Sequence, residues 1–374
     1  MKIAVVGLGG TGSAALRFLA QSGHEAVGYE QFQIGHDQGS SHGESRIIRY
    51  TYPDLLFTQM MSDSYKLWFE LQKEADEELF VQCGGLCFGD SNDPNISAIE
   101  QALIDTNLPY ERLTAEQAHD KYPAFRLQSN EVAIYQKDSG FLRATRCVQA
   151  NIRLAKKHGA IVHENTKVQE VISKDNKTSI ITSQGEEQFD RIIVTAGPWM
   201  SSLFQSLNLP LTTTRQQIVY LNINDHEEYF RSNGIFPVWI DTTENIYGFP
   251  IDGQIIGVKL ASHNCGEVIK NIDADRAPVD ESYFEEMRNY AKKHFPNLSS
   301  DVTYSQTCVY TNTPNADFII DRVSAESNIF LVSGCSGHGF KFTVLLGKII
   351  SMLATDDHSY DKDLSRFKLT SFLK

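Results

Sequence analysis

The chain has 374 residues, enough for two or three domains with well-buried cores. Hydrophobic residues make up 41% and charged residues 22%, so neither a disordered tail nor a membrane bundle fits, and no apolar run approaches the roughly 20 residues of a span. The 47 acidic residues outnumber 34 basic ones, and a net charge of −13 repels nucleic acid and anionic membrane surfaces. Cys83, Cys87, Cys147, Cys265, Cys308 and Cys335 contain no C-x-x-C pair, so reduced thiols are expected, with neither a disulfide framework nor a metal site. A cytoplasmic location is expected, because glycines break the only apolar run near the N-terminus.

In chain order, Ile3 to Val6 predicts a buried strand that runs into Gly7-Leu8-Gly9-Gly10-Thr11-Gly12. Ser13 to Gln21 then predicts a helix, and Ala26 to Glu30 a second strand. This is G-x-G-x-x-G in its strand–helix–strand setting. Gly7, Gly9 and Gly12 allow the tight turn, the close approach of backbone to pyrophosphate and the helix–strand packing, while the helix N-terminus offers N–H groups. Glu30 ends the second strand, where a carboxylate would meet ribose hydroxyls. The motif does not separate NAD from FAD; Glu at this position and the place of the motif at the chain start lean toward FAD.

Next comes a polar loop from Gly35 to Tyr50 that holds His42 and ends with Arg46 and Arg49. If its end is helical, the two arginines share one face, and such a pair either needs an anion or forms a solvated basic face. Arg191 to Val194 predicts another buried strand, feeding Thr195-Ala196-Gly197-Pro198-Trp199, where Ala196 and Gly197 leave room for a ligand. Ile329 to Ser333 repeats that arrangement, followed by Gly334, Gly337 and Gly339 and then an apolar helix through Leu353. Lys341 falls at the start of this helix, where the positive end of the macrodipole disfavours a cation by about 0.3–1 kcal/mol. Either an anion sits beside it or it is a solvated turn residue. Lys259 and His263, four apart, would face the same side of a strand.

Several segments together resemble one family, the flavoproteins monomeric sarcosine oxidase and N-methyltryptophan oxidase. They are the glycine loop at Gly7, Ser41 to Arg49, Thr195 to Trp199, Tyr247-Gly248-Phe249-Pro250 with Lys259 and His263, Cys308 to Pro314, and Gly334 to Phe342. The resemblance spans nearly the whole chain. Two departures, Glu44-Ser45 for the usual Asp-Thr and Thr51-Tyr52-Pro53 after Tyr50, bear on substrate size.

The resemblance implies FAD, attached by a thioether to Cys308, which by itself would be taken as a core thiol. It implies that Arg49 and Lys341 bind the substrate carboxylate and that Lys259 sits near flavin N5 and promotes reaction with O₂. By the same matching Arg46 tunes the flavin, His263 and Tyr247 line the pocket near the substrate amine, and His42 lies beside the flavin. The implied activity is oxidation of an N-methyl or other secondary amino acid to an imine, with O₂ reduced to H₂O₂. Oxidases or dehydrogenases of pipecolate, glycated or D-amino acids are the alternatives. A monomer is expected, with small-molecule partners only.

The expected fold is α/β. A Rossmann-type FAD-binding domain assembled from residues 1–85, 145–214 and 309–374 would be joined by an α+β substrate domain with a mixed or antiparallel sheet from 86–144 and 215–308.

Overall fold

The computed structural model describes residues 1–174, 177–253, 255–274, 276–324 and 326–372. One sheet has the strand order Ile319–Arg322, Ile329–Ser333, Arg191–Val194, Lys2–Val6, Glu25–Tyr29, Ile161–His163. All neighbours are parallel except the first pair. The Lys2–Val6 strand reads as a continuous apolar run because both of its faces are covered. On one side Ile3 and Val5 meet the helices Gly10–Gln21, Ala144–Lys157 and Thr343–Leu353. On the other, Ala4 and Val6 pack with Ile180 and Phe189 of a three-stranded antiparallel sheet, Glu170–Lys174, Lys177–Thr182 and Gly185–Phe189.

A second large sheet has the order Leu298–Asn312, Thr212–Ile223, Val258–Ser262, Ile246–Phe249, Val238–Asp241, Gly85–Asp90, Glu131–Gln136, Glu111–Thr114. It is mixed, since only the Val238–Asp241 and Gly85–Asp90 pair is parallel. Alternation along its strands separates two faces. Val219, Leu221, Val258 and Leu260 pack under the helix Glu281–His294 with Tyr283, Met287 and Tyr290. Ile218, Tyr220, Ala261 and Cys308 form the opposite face.

The expected architecture is present: a parallel nucleotide-type sheet drawn from separated stretches of chain and a mixed sheet beside it. The helical condition set for the arginine pair is not met. Arg46–Ile48 is a short strand paired with Gly140–Leu142, which also pairs with Phe80–Val81. Arg46 and Arg49 are therefore not on one helical face; Arg46 opens the strand and Arg49 lies just past its end.

Candidate active site

The glycine loop closes between the first strand and its helix. Gly7 has φ +85°, in the left-handed region that a side chain resists, and a Cβ there would lie 2.8 Å from the Thr195 carbonyl oxygen. At Gly12 a Cβ would come within 1.9 Å of the Gly7 oxygen, so this third glycine serves the packing of helix on strand. The N-cap residue of the helix is Gly9, which has no side chain to cap it, and its first turn holds no acid; Ser41 Oγ accepts from the Gly10 N–H at 3.0 Å, and the positive end carries no charged partner that would compete with an anion. Glu30 is buried; its carboxylate accepts from the Leu8 N–H at 2.9 Å and the Phe32 N–H at 3.1 Å.

A cleft of about 330 Å³ opens here, and Gly7, Gly9, Glu30, Ala196, Gly197, Gly337 and Gly339 all line it. The acid-free helix start, a carboxylate at the second strand's end and glycine backbone opposite fit the pyrophosphate and ribose of a dinucleotide. Gly12 stands outside this lining, in its packing role. His42 also stands outside it, buried beside Arg46 with no partner for its Nε2 among the described residues. Burial first, then Arg46, hold the His42 pKa down at about 3, so the ring is neutral.

A second cavity, of about 240 Å³, shares the walls Ser40, Arg46, Val309, Tyr310, Gly337 and Phe340 with the first. It brings together Arg46, Arg49, Tyr247, Lys259, His263, Cys308 and Lys341. Strand alternation carries Lys259 to this face, opposite its neighbours Val258 and Leu260. It is only 4% exposed, and its Nζ donates to the carbonyl and the hydroxyl of Ser45, each at 3.2 Å. Burial, reinforced by Arg46, lowers its pKa to about 7. Arg46 donates to the carbonyls of Ser45 at 2.9 Å and Ser40 at 3.1 Å. Cys308 is buried, which raises its thiol pKa, while Arg46, Lys259 and Arg276 pull the other way.

Arg49 and Lys341 also line this cavity. Arg49 donates to Thr51 Oγ1 at 3.2 Å, and its Nε is buried without a partner among the described residues. Lys341 comes from the turn Phe340–Phe342 that precedes the last long helix. Burial and then Arg49 push its pKa well down. His263 lies one residue past its strand and opens onto the cavity, with its pKa lowered to about 4 by burial, Lys341 and Arg49. The Tyr247 hydroxyl is 3.1 Å from that of Tyr310.

Sequence alone gives Tyr310 and His338 no role of their own, and it names Tyr52 only within the Thr51-Tyr52-Pro53 departure that bears on substrate size. Tyr310 could have been found, since it lies two residues beyond Cys308 on one strand and so shares its face. No pattern in the sequence ties Tyr52 to His338.

A dinucleotide cleft that opens into a cation-lined cavity belongs to a cofactor-dependent redox enzyme. The comparison with family models makes that specific: the model described as FAD dependent oxidoreductase matches residues 2–353, and the chain belongs to that family. Monomeric sarcosine oxidase of Bacillus sp. (strain NS-129) is 30% identical over 377 residues, covering 98% of this chain and 96% of that protein. N-methyl-L-tryptophan oxidase of Escherichia coli (strain SMS-3-5 / SECEC) is also 30% identical, over 376 residues and 98% of each chain. Among solved structures, NikD, an unusual amino acid oxidase essential for nikkomycin biosynthesis, superposes with TM-score 0.84 at 21% identity, covering 98% of this chain and 96% of that one. Among the described residues no helix is long and apolar enough to cross a membrane.

Proposed function

We propose that the chain is an oxidase of N-methyl or other secondary amino acids, with FAD held through a thioether to Cys308. The observation that carries this reading is one cavity with Cys308, Lys259 and Arg46 along it, joined to the dinucleotide cleft, together with two further cations that keep donors unspent. Bound there, FAD supplies the two-electron acceptor for oxidation of the substrate C–N bond. The chain's residues do the rest. Arg49 and Lys341 take the carboxylate, which fixes the amine relative to the reacting face. The cations around the cavity favour the neutral amine, the form that gives up electrons, by opposing its protonation. His263 and Tyr247 border the amine, Arg46 and Lys259 favour negative charge on the reduced cofactor, and Lys259 presents its ammonium to O₂. Water hydrolyses the imine to an aldehyde and an amine, and O₂ leaves as H₂O₂. The same reading makes the protein a cytoplasmic monomer and divides it into the flavin-binding and substrate portions set out above.

A panel of secondary amino acids, including sarcosine, N-methyltryptophan and pipecolate, assayed for peroxide release and oxygen uptake tests the activity. Acid precipitation tests the tether. The pellet is expected to stay yellow, and that of Cys308→Ser to lose its colour to the supernatant. Substrate-dependent bleaching without oxygen uptake would remove the oxidase assignment, and colour released from the unaltered protein would remove the tether.

A further inference from the structure

We propose that Tyr52 and His338 form a one-way hydrogen-bond relay that positions both carboxylate-binding cations, an inference that rests on the reading of Arg49 and Lys341 given above. Lys341 is 6% exposed, and its Nζ donates to the Tyr52 hydroxyl at 3.0 Å and to the His338 carbonyl at 2.7 Å. Two of the three ammonium hydrogens are thus committed, which leaves one for a ligand. The Tyr52 hydroxyl lies 3.2 Å from His338 Nδ1, and His338 Nε2 lies 2.9 Å from the Ala316 carbonyl.

A carbonyl can only accept, so Nε2 carries the hydrogen and, in a neutral ring, Nδ1 is the acceptor. Tyr52 must then give its proton to His338 and turn its lone pairs to Lys341. The ring is neutral because burial and Lys341 hold its pKa at about 3. Donation therefore runs from Lys341 through Tyr52 and His338 to Ala316, and reversing any bond would break the others. The same tyrosine serves the second cation, since the Arg49 guanidinium stands 4.3 Å over its ring. Stacking there leaves the buried Nε of Arg49 unpaired. One residue thus holds a guanidinium by its face and an ammonium by its edge, each with a donor in reserve.

The relay also bears on charge. Arg49, His263, His338, Tyr52 and Cys335 are the titratable groups around Lys341. Among these Tyr52 accepts directly from the ammonium and so favours its charged form, while Arg49 opposes it. Carboxylate affinity that needs charged Lys341 is lost as pH rises through the lysine's pKa. Removing the Tyr52 acceptor lowers that pKa and moves the loss to lower pH.

The test is calorimetric titration of the FAD-loaded protein with propionate as a function of pH, which requires no turnover. Tyr52→Phe keeps the ring beneath Arg49 and removes the acceptor. It is expected to weaken propionate binding about tenfold, as loss of a hydrogen bond to a charged group does, and to shift the alkaline limb downward. His338→Leu should reproduce that shift, and His338→Asn, whose amide oxygen can accept from Tyr52, should restore part of it. A Tyr52→Phe protein with unaltered affinity and an unmoved limb overturns the relay. If that variant does not fold, equal limbs in the two His338 variants overturn it instead. Failure of the unaltered protein to bind propionate would refute the carboxylate site itself, a different outcome from a relay variant that binds normally.

Discussion

Among the described residues Lys259 donates its ammonium to neutral oxygens, the carbonyl and hydroxyl of Ser45, with the Phe249 ring 4.5 Å away. Its folded pKa of about 7 lies below the ordinary 10.5. Between those values the unfolded chain binds the extra proton, so stability rises with pH through this window and the penalty for burying the charge is full below about 7. Lys259→Met should therefore melt at higher temperature in cofactor-free protein at about pH 6, by the equivalent of roughly 1–4 kcal/mol, the scale found when a buried ion pair gives way to apolar side chains. The gain should fade toward alkaline pH. With FAD bound, the same variant is expected to reoxidise in O₂ about 100-fold more slowly, the scale of losing a preorganised electrostatic partner, with less effect on reduction by substrate. Stopped-flow absorbance separates the two half-reactions, and an unslowed oxygen step would take Lys259 out of that role.

At the scale of elements, the glycine loop shows how tightly one strand and one helix are joined. Gly12→Ala would drive a methyl group to within 1.9 Å of the Gly7 oxygen and 2.4 Å of Thr195 Oγ1; the hydroxyl can turn aside, but the Gly7 oxygen is backbone directly after the Lys2–Val6 strand. A cost of at least about 1–3 kcal/mol is expected for such overpacking, with a lower melting temperature and less flavin bound per chain; a variant with both unchanged would show that the loop can open. This element was legible because its signals are local: a β-branched run, glycines at fixed offsets and an acid at the next strand's end. The strand of Lys259 was legible from its period of two, although His263 proved to lie just past the strand's end. The segment holding Arg46 was not. Its pairing partners, Gly140–Leu142 and through it Phe80–Val81, lie far along the chain, and an isolated pair of arginines three apart looks the same in a helix or a strand. Tyr52 and His338 are 286 positions apart, and their meeting depends on how the first and last stretches of chain pack together. The cation pair was visible as residue types at motif positions; the hydrogen bonds that hold it were not.

Across the whole molecule, the cavity is lined from both the mixed sheet and the neighbourhood of the parallel sheet, and a largely buried ion pair crosses between their surroundings. Arg143 immediately precedes the helix Ala144–Lys157, which packs on Gly10–Gln21, while Asp252 follows the strand Ile246–Phe249 of the mixed sheet. The pair is bidentate at 2.6 and 3.0 Å, and the side chains are 14% and 15% exposed. Burial raises the Asp252 pKa even against the pull of Arg143. Arg143→Ala would leave that carboxylate buried without its guanidinium, which for a broken buried pair costs about 3–5 kcal/mol. The pH dependence follows from the direction of the shift. Without Arg143 the folded pKa of Asp252 climbs further, so the folded state holds a proton that the unfolded state has released, and stability falls as pH rises through that pKa. The loss in urea midpoint should thus be smaller at about pH 4 than at about pH 8, because toward low pH the folded state takes up a proton on Asp252 and no longer buries an unpaired charge. Since Gly140–Leu142, directly before Arg143, pairs with Arg46–Ile48, the same change should loosen the strand that carries Arg46 and leads into Arg49. Substrate KM is expected to rise along with the loss of stability. A uniform drop in midpoint at all pH values, with KM unchanged, would mean that Asp252 reaches solvent once Arg143 is gone and that the crossing pair does not transmit to the cavity.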